Sequence, residues 1–324
     1  MEPKDYVLGR LSKLKEANMP ARSFGTQEEL VKFIYQALMS KKFRKYSVAP
    51  EYQQHIRSAI ELNVRNNEPI KIALPFGGYK LWRLDEAPEV DWAELFSVIY
   101  YAYWLKPIFD NYKPGIWFDF YSDDIIVRTT NNIPREDTDR YCETFDKLLG
   151  FLRSYLPANA RFTLNRVGEQ YSSYEDFESE LHKRMDELLK SNGGKFPTWS
   201  AKMATTFDLN VKPKADGNQD PEWREKTQLV YDAYHMVSKR RPYCRAPDKI
   251  VAFPSTLNNT IVVGSTKNSI VKFWVGVGVL KEAGGSFAES VLSPSQLASA
   301  SFGWAPTSIE GLDGKNFRRV RITS

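Results

Sequence analysis

The chain has 324 residues, of which 42% are apolar and 14% aromatic, so it can build a large core and does not resemble a disordered protein. Its formal net charge of +5 is too small for a polycationic nucleic-acid coat and suits anionic small ligands equally well. Two cysteines, Cys142 and Cys244, give neither a disulfide framework nor a metal-binding spacing. No apolar run reaches membrane-span length and the first residues lack a secretory apolar segment, so we expect a cytoplasmic protein.

Residues 1–66 are predicted to form a helical extension ahead of the main domain. A short helix is predicted around Leu8–Glu16. Thr26 and Glu29 have the spacing of a capping box, and the apolar residues that follow recur at helical spacing. Another helix is predicted over residues 50–63.

A strand, a loop, a helix and a second strand then follow one another. Ile70–Leu74 and Ile116–Tyr121 have the apolar, β-rich composition of strands, and Asp91–Tyr112 has a helical pattern that begins with a capping box. This succession is typical of a parallel α/β unit. We therefore predict an α/β fold for residues 67–324: a Rossmann-like mixed, mostly parallel sheet flanked by helices, forming a single catalytic domain.

The rest of the chain predicts further elements around this unit. Segment 191–220 is rich in Gly, Lys, Pro, Asn and Asp, which predicts an irregular insertion or a lid. The other predicted elements are helices at Arg135–Tyr155, Ser173–Lys190, Asp220–Arg240 and from Ser293, and strands at Arg161–Val167, Ile250–Phe253, Thr260–Val263, Ile270–Leu280, Thr307–Ile309 and Phe317–Ile322.

Charged residues follow both strands of the central unit. A Gly-Gly-Tyr-Lys loop, Gly77–Lys80, follows the first strand, and a Ser-Asp-Asp turn, Ser122–Asp124, follows the second. Because the carboxyl ends of adjacent parallel strands face one crevice, we expect the loop and the turn to lie close together. Cations beside glycine N–H groups suit a phosphate, and a crevice lysine with a depressed pKa can also act as a base or a Schiff-base amine. Asp123 suits a substrate ammonium group or a general base.

Two other functions remain open from the residues alone. If Asp119, Asp123 and Asp124 converge, they predict a divalent metal site in a nucleotide-dependent glycosyl- or nucleotidyl-transferase. The basic clusters at residues 41–45, 239–245 and 318–321 would instead suit a nucleic-acid-binding or nucleic-acid-modifying protein, although no known module accompanies them.

The order of the pieces resembles the isocyanide (isonitrile) synthases, the family of pyoverdine and dityrosine biosynthesis proteins. The resemblance is collinear over about residues 70–130 and 225–295. The matching pieces are Leu74-Pro75 with Lys80, Pro88–Glu94, Tyr112–Gly115, Ser122–Asp124, Tyr231–Val237, Val251–Pro254 and Phe273–Val277. The family's two later histidines are replaced by Phe253 and Val275, and its Ser-Asp-Gly by Ser122-Asp123-Asp124.

The resemblance implies an enzyme that condenses an amino group, from an amino acid or a related amine, with a phosphosugar such as ribulose 5-phosphate, without metal or organic cofactor. We expect these small molecules as partners, nucleic acid as a less favoured one, and no membrane. The implied catalytic residues are Lys80, Asp123 and Asp124, and the implied substrate contacts are Gly77, Gly78, Tyr79, Arg83, Ser122, Lys272 and Trp274. On this hypothesis Lys80→Ala abolishes turnover and leaves the fold intact.

Overall fold

The computed structural model describes most of the chain. The described residues are 1–16, 22–41, 43, 48–198, 211–213, 220–239, 246–252, 261 and 270–323. Much of the predicted insertion at 191–220, and all but Ile261 of the predicted strand Thr260–Val263, therefore lie outside them.

Three helices form the N-terminal part: α1 at Pro3–Ser12, α2 at Gln27–Leu38 and α3 at Pro50–Arg65. Helix α1 starts earlier than predicted because Pro3 occupies its first turn, where a missing N–H costs nothing. The Thr26 hydroxyl accepts from the Glu29 N–H at 3.2 Å, as the capping signal predicts. Buried side chains of all three helices belong to the same hydrophobic core as the central sheet.

The prediction of an α/β fold with a mostly parallel sheet flanked by helices is confirmed, and the central sheet is parallel throughout. Its strands are β1 at Ile70–Phe76, β2 at Ile116–Ser122, β3 at Ala160–Arg166 and β4 at Lys249–Val251, in the order β3-β2-β1-β4. Strand order therefore reverses next to β1, and open α/β sheets bind ligands beyond the carboxyl ends of their strands at such a point.

Helix α4, Trp92–Asn111, is buried along most of its length, with fifteen of its twenty residues buried. Its Tyr101 ring lies 4.5 Å from that of Phe118 on β2, and its first turn contacts Gly278 of a second sheet. A helix covered on both sides is apolar nearly all round, which explains why α4 shows no polar stripe.

Four further helices complete the described part of this region: α5 at Asp124–Asn131, α6 at Arg135–Leu152, α7 at Tyr174–Ser191 and α8 at Pro221–Tyr234. Helix α5 begins directly after β2 and was not predicted, because its β-branched Ile and Val residues favour strands. Helix α8 ends at Tyr234, earlier than predicted. Within the described residues, every helix is too short or too polar for a membrane crossing.

The second sheet has β5 at Val277–Ala283, β6 at Ser286–Leu292, β7 at Gly303–Pro306 and β8 at Arg319–Thr323, in the order β6-β5-β8-β7. A short helix, α9 at Pro294–Ser299, follows β6. The prediction of one strand over Ile270–Leu280 is wrong in its first half. Residues Ile270–Val275 form 3₁₀ turns that bury both Phe273 and Trp274, and β5 starts only after Gly276. The prediction of a strand at Thr307–Ile309 is also wrong, since the pairing with β8 ends at Pro306.

Candidate active site at the carboxyl end of the parallel sheet

The ends of β1 and β2 meet as the sequence predicts. Phe76 is in register with Ser122, and the Asp123 N–H donates to the Phe76 carbonyl at 2.9 Å. The glycine loop after β1 and the aspartate turn after β2 therefore share one crevice.

A small pocket lies at this crevice, and we call it the strand-end pocket. Its cavity volume is about 70 Å³. It is lined by Pro75, Phe76, Gly77, Gly78, Asp123, Ile126, Val127, Thr130, Asn131, Tyr231, Tyr234, His235 and Trp274. Four predicted site residues, Gly77, Gly78, Asp123 and Trp274, are thus brought together.

Asp123 is the acidic residue of the strand-end pocket. The Tyr234 hydroxyl donates to Asp123 Oδ1 at 2.6 Å, and Tyr234 is itself buried. A short hydrogen bond from a buried hydroxyl holds the carboxylate in one orientation. The pocket therefore presents an oriented negative charge at the end of β2.

Helix α8 forms an aromatic wall opposite the glycine loop. Tyr231, Tyr234 and His235 are three and four residues apart, so they lie on one face of the helix. The Tyr231 and His235 rings meet edge to face at 5.1 Å. His235 Nδ1 lies 2.7 Å from the Tyr231 carbonyl, and because a carbonyl only accepts, Nδ1 carries the proton and Nε2 is the acceptor in neutral imidazole.

Gly78 is required by packing against α5. A Cβ atom at Gly78 would lie 2.7 Å from Val127 Cγ1 and 3.0 Å from Leu81 Cδ1. The loop therefore approaches the helix after β2 as closely as only glycine allows.

Lys80 is not part of the strand-end pocket. It is 1% exposed, and its ammonium lies 2.7 Å from Asp91 Oδ2 and 2.7 Å from Glu94 Oε1. The Tyr141 hydroxyl donates to Glu94 Oε1 at 2.7 Å. We call these four residues, Lys80, Asp91, Glu94 and Tyr141, the helix-start cluster, because Asp91 and Glu94 form the capping box of α4.

The helix-start cluster keeps Lys80 charged. Burial acts to lower the pKa of Lys80, but the Asp91 and Glu94 carboxylates outweigh it, so the pKa is raised. A general-base or Schiff-base lysine needs a shift in the opposite direction, so the alternative in which Lys80 has a depressed pKa is wrong. The catalytic role of Lys80 stays a prediction that its position does not support.

Asp124 is paired with two arginines and does not line the strand-end pocket. Its Oδ2 lies 3.0 Å from Arg166 Nη2 and 3.2 Å from Arg128 Nη2, and its Oδ1 accepts from the Gly168 N–H at 2.9 Å. The carboxylate is buried within this network. Asp124 therefore links α5 to the segment after β3.

The three aspartates that suggested a metal site have separate partners. Asp119 accepts from Thr163 Oγ1 at 2.8 Å and from Asn165 across β3, whereas Asp123 accepts from Tyr234 and Asp124 from arginines. Among the described residues, no group of three His, Cys, Asp or Glu side chains is arranged to hold a metal ion. The hypothesis of a metal-dependent transferase required Asp119, Asp123 and Asp124 to converge, and that prediction is therefore wrong.

The remaining predicted contacts lie outside the pocket lining. Arg83 stacks on Tyr79 and Trp82, with its guanidinium carbon 4.2 and 3.9 Å from their ring centroids. Ser122 is buried in a small adjoining cavity, and Lys272 is exposed. The pocket lining contains no lysine or arginine among the described residues, so the predicted substrate contacts of Arg83 and Lys272 remain predictions.

No family model matches the chain, and a comparison with curated proteins finds no match either. Among solved structures, the chain is similar to the PvcA protein from Pseudomonas aeruginosa, with a TM-score of 0.53 and 12% sequence identity over 90% of this chain and 100% of that chain. The two share a fold. Tyrosyl-tRNA synthetase from Aeropyrum pernix aligns with a TM-score of only 0.31 and 10% identity over 66% of this chain and 50% of that one, which is too low for a structural argument.

Nine of the thirteen lining residues were not identified as site residues from the sequence, among them Thr130, Asn131, Tyr234 and His235. Thr130 and Asn131 lie at the end of α5, a helix that was not predicted. Tyr234 and His235 lie on a predicted helix, and their spacing from Tyr231 was the available signal. That spacing indicates a helix face, but which neighbour the face contacts depends on the tertiary fold.

Proposed function

We propose that the chain is an isocyanide-synthase-like enzyme that binds the amino group of its substrate at Asp123. The fold likeness to PvcA, an isocyanide synthase, extends over 90% of the chain and supports this class of enzyme. The observation that carries the proposal is the Asp123 carboxylate, oriented by Tyr234 at the end of β2 in a pocket lined by aromatic rings.

An ammonium group is the chemical group that this pocket suits. The Asp123 carboxylate attracts the positive charge, and the aromatic rings of Tyr231 and Trp274 belong to the same lining, where aromatic rings can make cation–π contacts. Asp123 can then take a proton from the ammonium, which leaves a neutral amine with a lone pair for attack on a carbonyl carbon. In this step one N–H bond breaks and the proton moves to an Asp123 oxygen.

His235 offers a second proton acceptor beside Asp123. Its Nδ1 proton is held by the Tyr231 carbonyl at 2.7 Å, which orients the ring and leaves Nε2 as the basic atom. Condensation of an amine with a carbonyl moves several protons, so two bases in one pocket fit this chemistry better than one.

The strand-end pocket holds only the amine end of the reaction. Its volume of about 70 Å³ is far below the ~300 Å³ at which small-molecule pockets begin. The proposed second substrate is a phosphosugar such as ribulose 5-phosphate, following the family resemblance. Since no cation is found among the described lining residues, its phosphate would be held outside this lining.

The test is an activity screen with matched variants. Purified protein is incubated with a panel of amino acids, including tyrosine and tryptophan, and with ribulose 5-phosphate, and isonitrile products are trapped with a tetrazine and identified by mass spectrometry. We expect Asp123→Asn to lower turnover by about a hundredfold or more, since a positioned base contributes at least that much.

Asp186→Asn is the matched control, because Asp186 is an exposed carboxylate on α7 far along the chain from the pocket residues. It should retain full turnover. Unchanged turnover in Asp123→Asn would contradict the site, and absence of any amine consumption by the folded wild-type protein across the panel would contradict the function.

A further inference from the structure

A second and larger cavity lies between the start of α4 and the second sheet. Its volume is about 390 Å³, which is within the range of small-molecule sites. Charged and aromatic side chains dominate its wall, among them Asp85, Glu86, Trp304, Lys315, Arg319 and Arg321. None of these six residues lines the strand-end pocket.

Two arginines of β8 are held in place by a tryptophan of β7. Trp304 is in register with Arg321, and Arg319 lies two residues earlier on the same face of β8. The guanidinium carbons of Arg319 and Arg321 lie 4.0 and 4.3 Å from the Trp304 ring centroid. Stacked guanidinium groups keep their N–H edges available for an oxyanion while losing little further freedom on binding.

The cavity wall carries cationic groups and hydrogen-bond donors that are not all paired with the carboxylates of the same wall. Arg321 pairs with Glu86, yet its Nε is buried and has no hydrogen-bond partner in the described part of the chain. Arg319 has no ion pair among the described residues. Lys315 adds a third cation to the lining. Asp85, which is exposed, and Asp91, whose carboxylate is paired with Lys80, add two carboxylates besides that of Glu86.

Trp304 of the cavity wall and the neighbouring Phe302 form an exposed aromatic surface, which we call the rim. Phe302 is 39% exposed and Trp304 is 42% exposed, and their rings meet edge to face at 5.8 Å. Exposed neighbouring aromatic rings beside arginines are the features on which nucleobases stack.

We propose that this cavity binds a nucleoside phosphate. The phosphate is held by the guanidinium of Arg319, the Nε of Arg321 and the ammonium of Lys315. The base packs on the rim formed by Phe302 and Trp304, and ribose hydroxyl or base amino groups donate to Asp85. This site is independent of the amine site proposed at Asp123.

The test is calorimetric titration of the full chain with four probes: adenosine monophosphate, adenosine, inorganic phosphate and a short single-stranded oligoadenylate. Arg319→Ala should weaken adenosine monophosphate binding about tenfold or more, since a charge-assisted contact to phosphate is lost. Trp304→Leu should weaken it by a similar factor, because base stacking and the support of both arginines are lost.

Arg318→Ala is the matched control, because Arg318 is an exposed neighbour of the same charge that does not line the cavity. It should leave binding unchanged. Arg319→Lys keeps the positive charge, so it tests whether a loss of affinity in Arg319→Ala comes from removal of the cation. Thermal unfolding of each variant reports whether the fold is kept.

Binding of adenosine monophosphate that Arg319→Ala weakens and Arg318→Ala does not supports the proposal. Tighter binding of the oligoadenylate with the same variant pattern also supports it and identifies single-stranded nucleic acid as the source of the nucleoside phosphate. Binding of inorganic phosphate as tight as that of the nucleotide, an unchanged affinity in folded Arg319→Ala, or no binding of either nucleotide probe overturns it.

Discussion

The helix-start cluster and the strand-end pocket both include residues of the loop after β1, but they differ in the surroundings of their charged groups. The cluster buries its charges against opposite charges, whereas the pocket has a charge that faces a cavity. Lys80 is 1% exposed and its charge is matched by Asp91 and Glu94. Asp123 lines a cavity, and the Tyr234 hydroxyl donates to its Oδ1. The difference shows that a charged residue after a parallel strand is a candidate for chemistry only when its partners leave it facing a cavity.

The burial of Lys80 explains why its ammonium group is paired with two carboxylates. An ammonium removed from water is stable only if nearby negative charge and hydrogen bonds replace the water. Asp91 does this while accepting from the Ala93 N–H at 2.6 Å and from the Gly278 N–H at 2.9 Å. The cluster thus joins the loop after β1, the start of α4 and the second sheet.

The largest effect is expected from Lys80→Met. It leaves two buried carboxylates without their cation, and we expect the free energy of unfolding to fall by about 3–5 kcal/mol, measured by urea denaturation. This replaces the expectation that removal of Lys80 leaves the fold intact. Lys281→Met, an exposed lysine on β5, should change it little. A loss in Lys80→Met as small as in this control would show that the cluster is not structural.

A second effect on the same region is expected from Gly278→Ala. The added Cβ atom would lie 2.3 Å from both the Ala93 nitrogen and the Trp92 carbonyl carbon, and helix backbone cannot move aside cheaply. We expect a loss of about 2–3 kcal/mol in urea denaturation. Gly303→Ala on β7, where the new atom meets nothing within 4 Å, is the control. Equal stability of the two variants would contradict close packing of β5 on α4.

A sharper comparison is possible between two adjacent residues, Asp123 and Asp124. Asp124→Asn removes a buried charge facing Arg128 and Arg166, so the free energy of unfolding should fall by about 2 kcal/mol. Asp123→Asn keeps an acceptor for Tyr234 and should cost about 1 kcal/mol or less. Both are measured by urea denaturation, and the reverse order would mean that Asp123 is the structural residue of the pair.

The smallest expected effect is a pH dependence of stability caused by Asp232 on α8, the helix that contributes Tyr231 and Tyr234 to the strand-end pocket. Burial raises the pKa of Asp232 to about 6 from its ordinary 3.8. The folded state therefore binds a proton that the unfolded state has lost between about pH 4 and pH 6, and wild-type stability falls as pH rises through that window.

Asp232→Asn cannot ionise and should be more stable than wild type by about 1 kcal/mol above pH 7, after allowance for solvent screening. The difference should vanish below about pH 4. Urea denaturation at several pH values measures it, with Asp186→Asn as the exposed control. A stability difference that does not change with pH would show that Asp232 has an ordinary pKa in the folded chain.

Local signals predicted the elements that local contacts decide. The Asp91 and Glu94 capping box marked the start of α4 correctly, and Ser173 and Asp220 marked α7 and α8, because a cap is satisfied within three residues. Where local preference and packing disagreed, as in α5 and Ile270–Val275, the sequence-based prediction failed. Burial of apolar side chains on both sides of a segment favours neither a strand nor a helix by pattern alone.

The amino-acid sequence by itself determined the parallel strand–helix–strand unit and the meeting of a glycine loop with an aspartate turn, since strand periodicity and short connections specify both. Only the tertiary structure decided which charges are satisfied and which face a cavity. Asp123 meets Tyr234 at a separation of 111 residues, and Glu94 meets Tyr141 at 47. Such partners are selected by the packing of whole helices and strands, and no pattern within either segment specifies them.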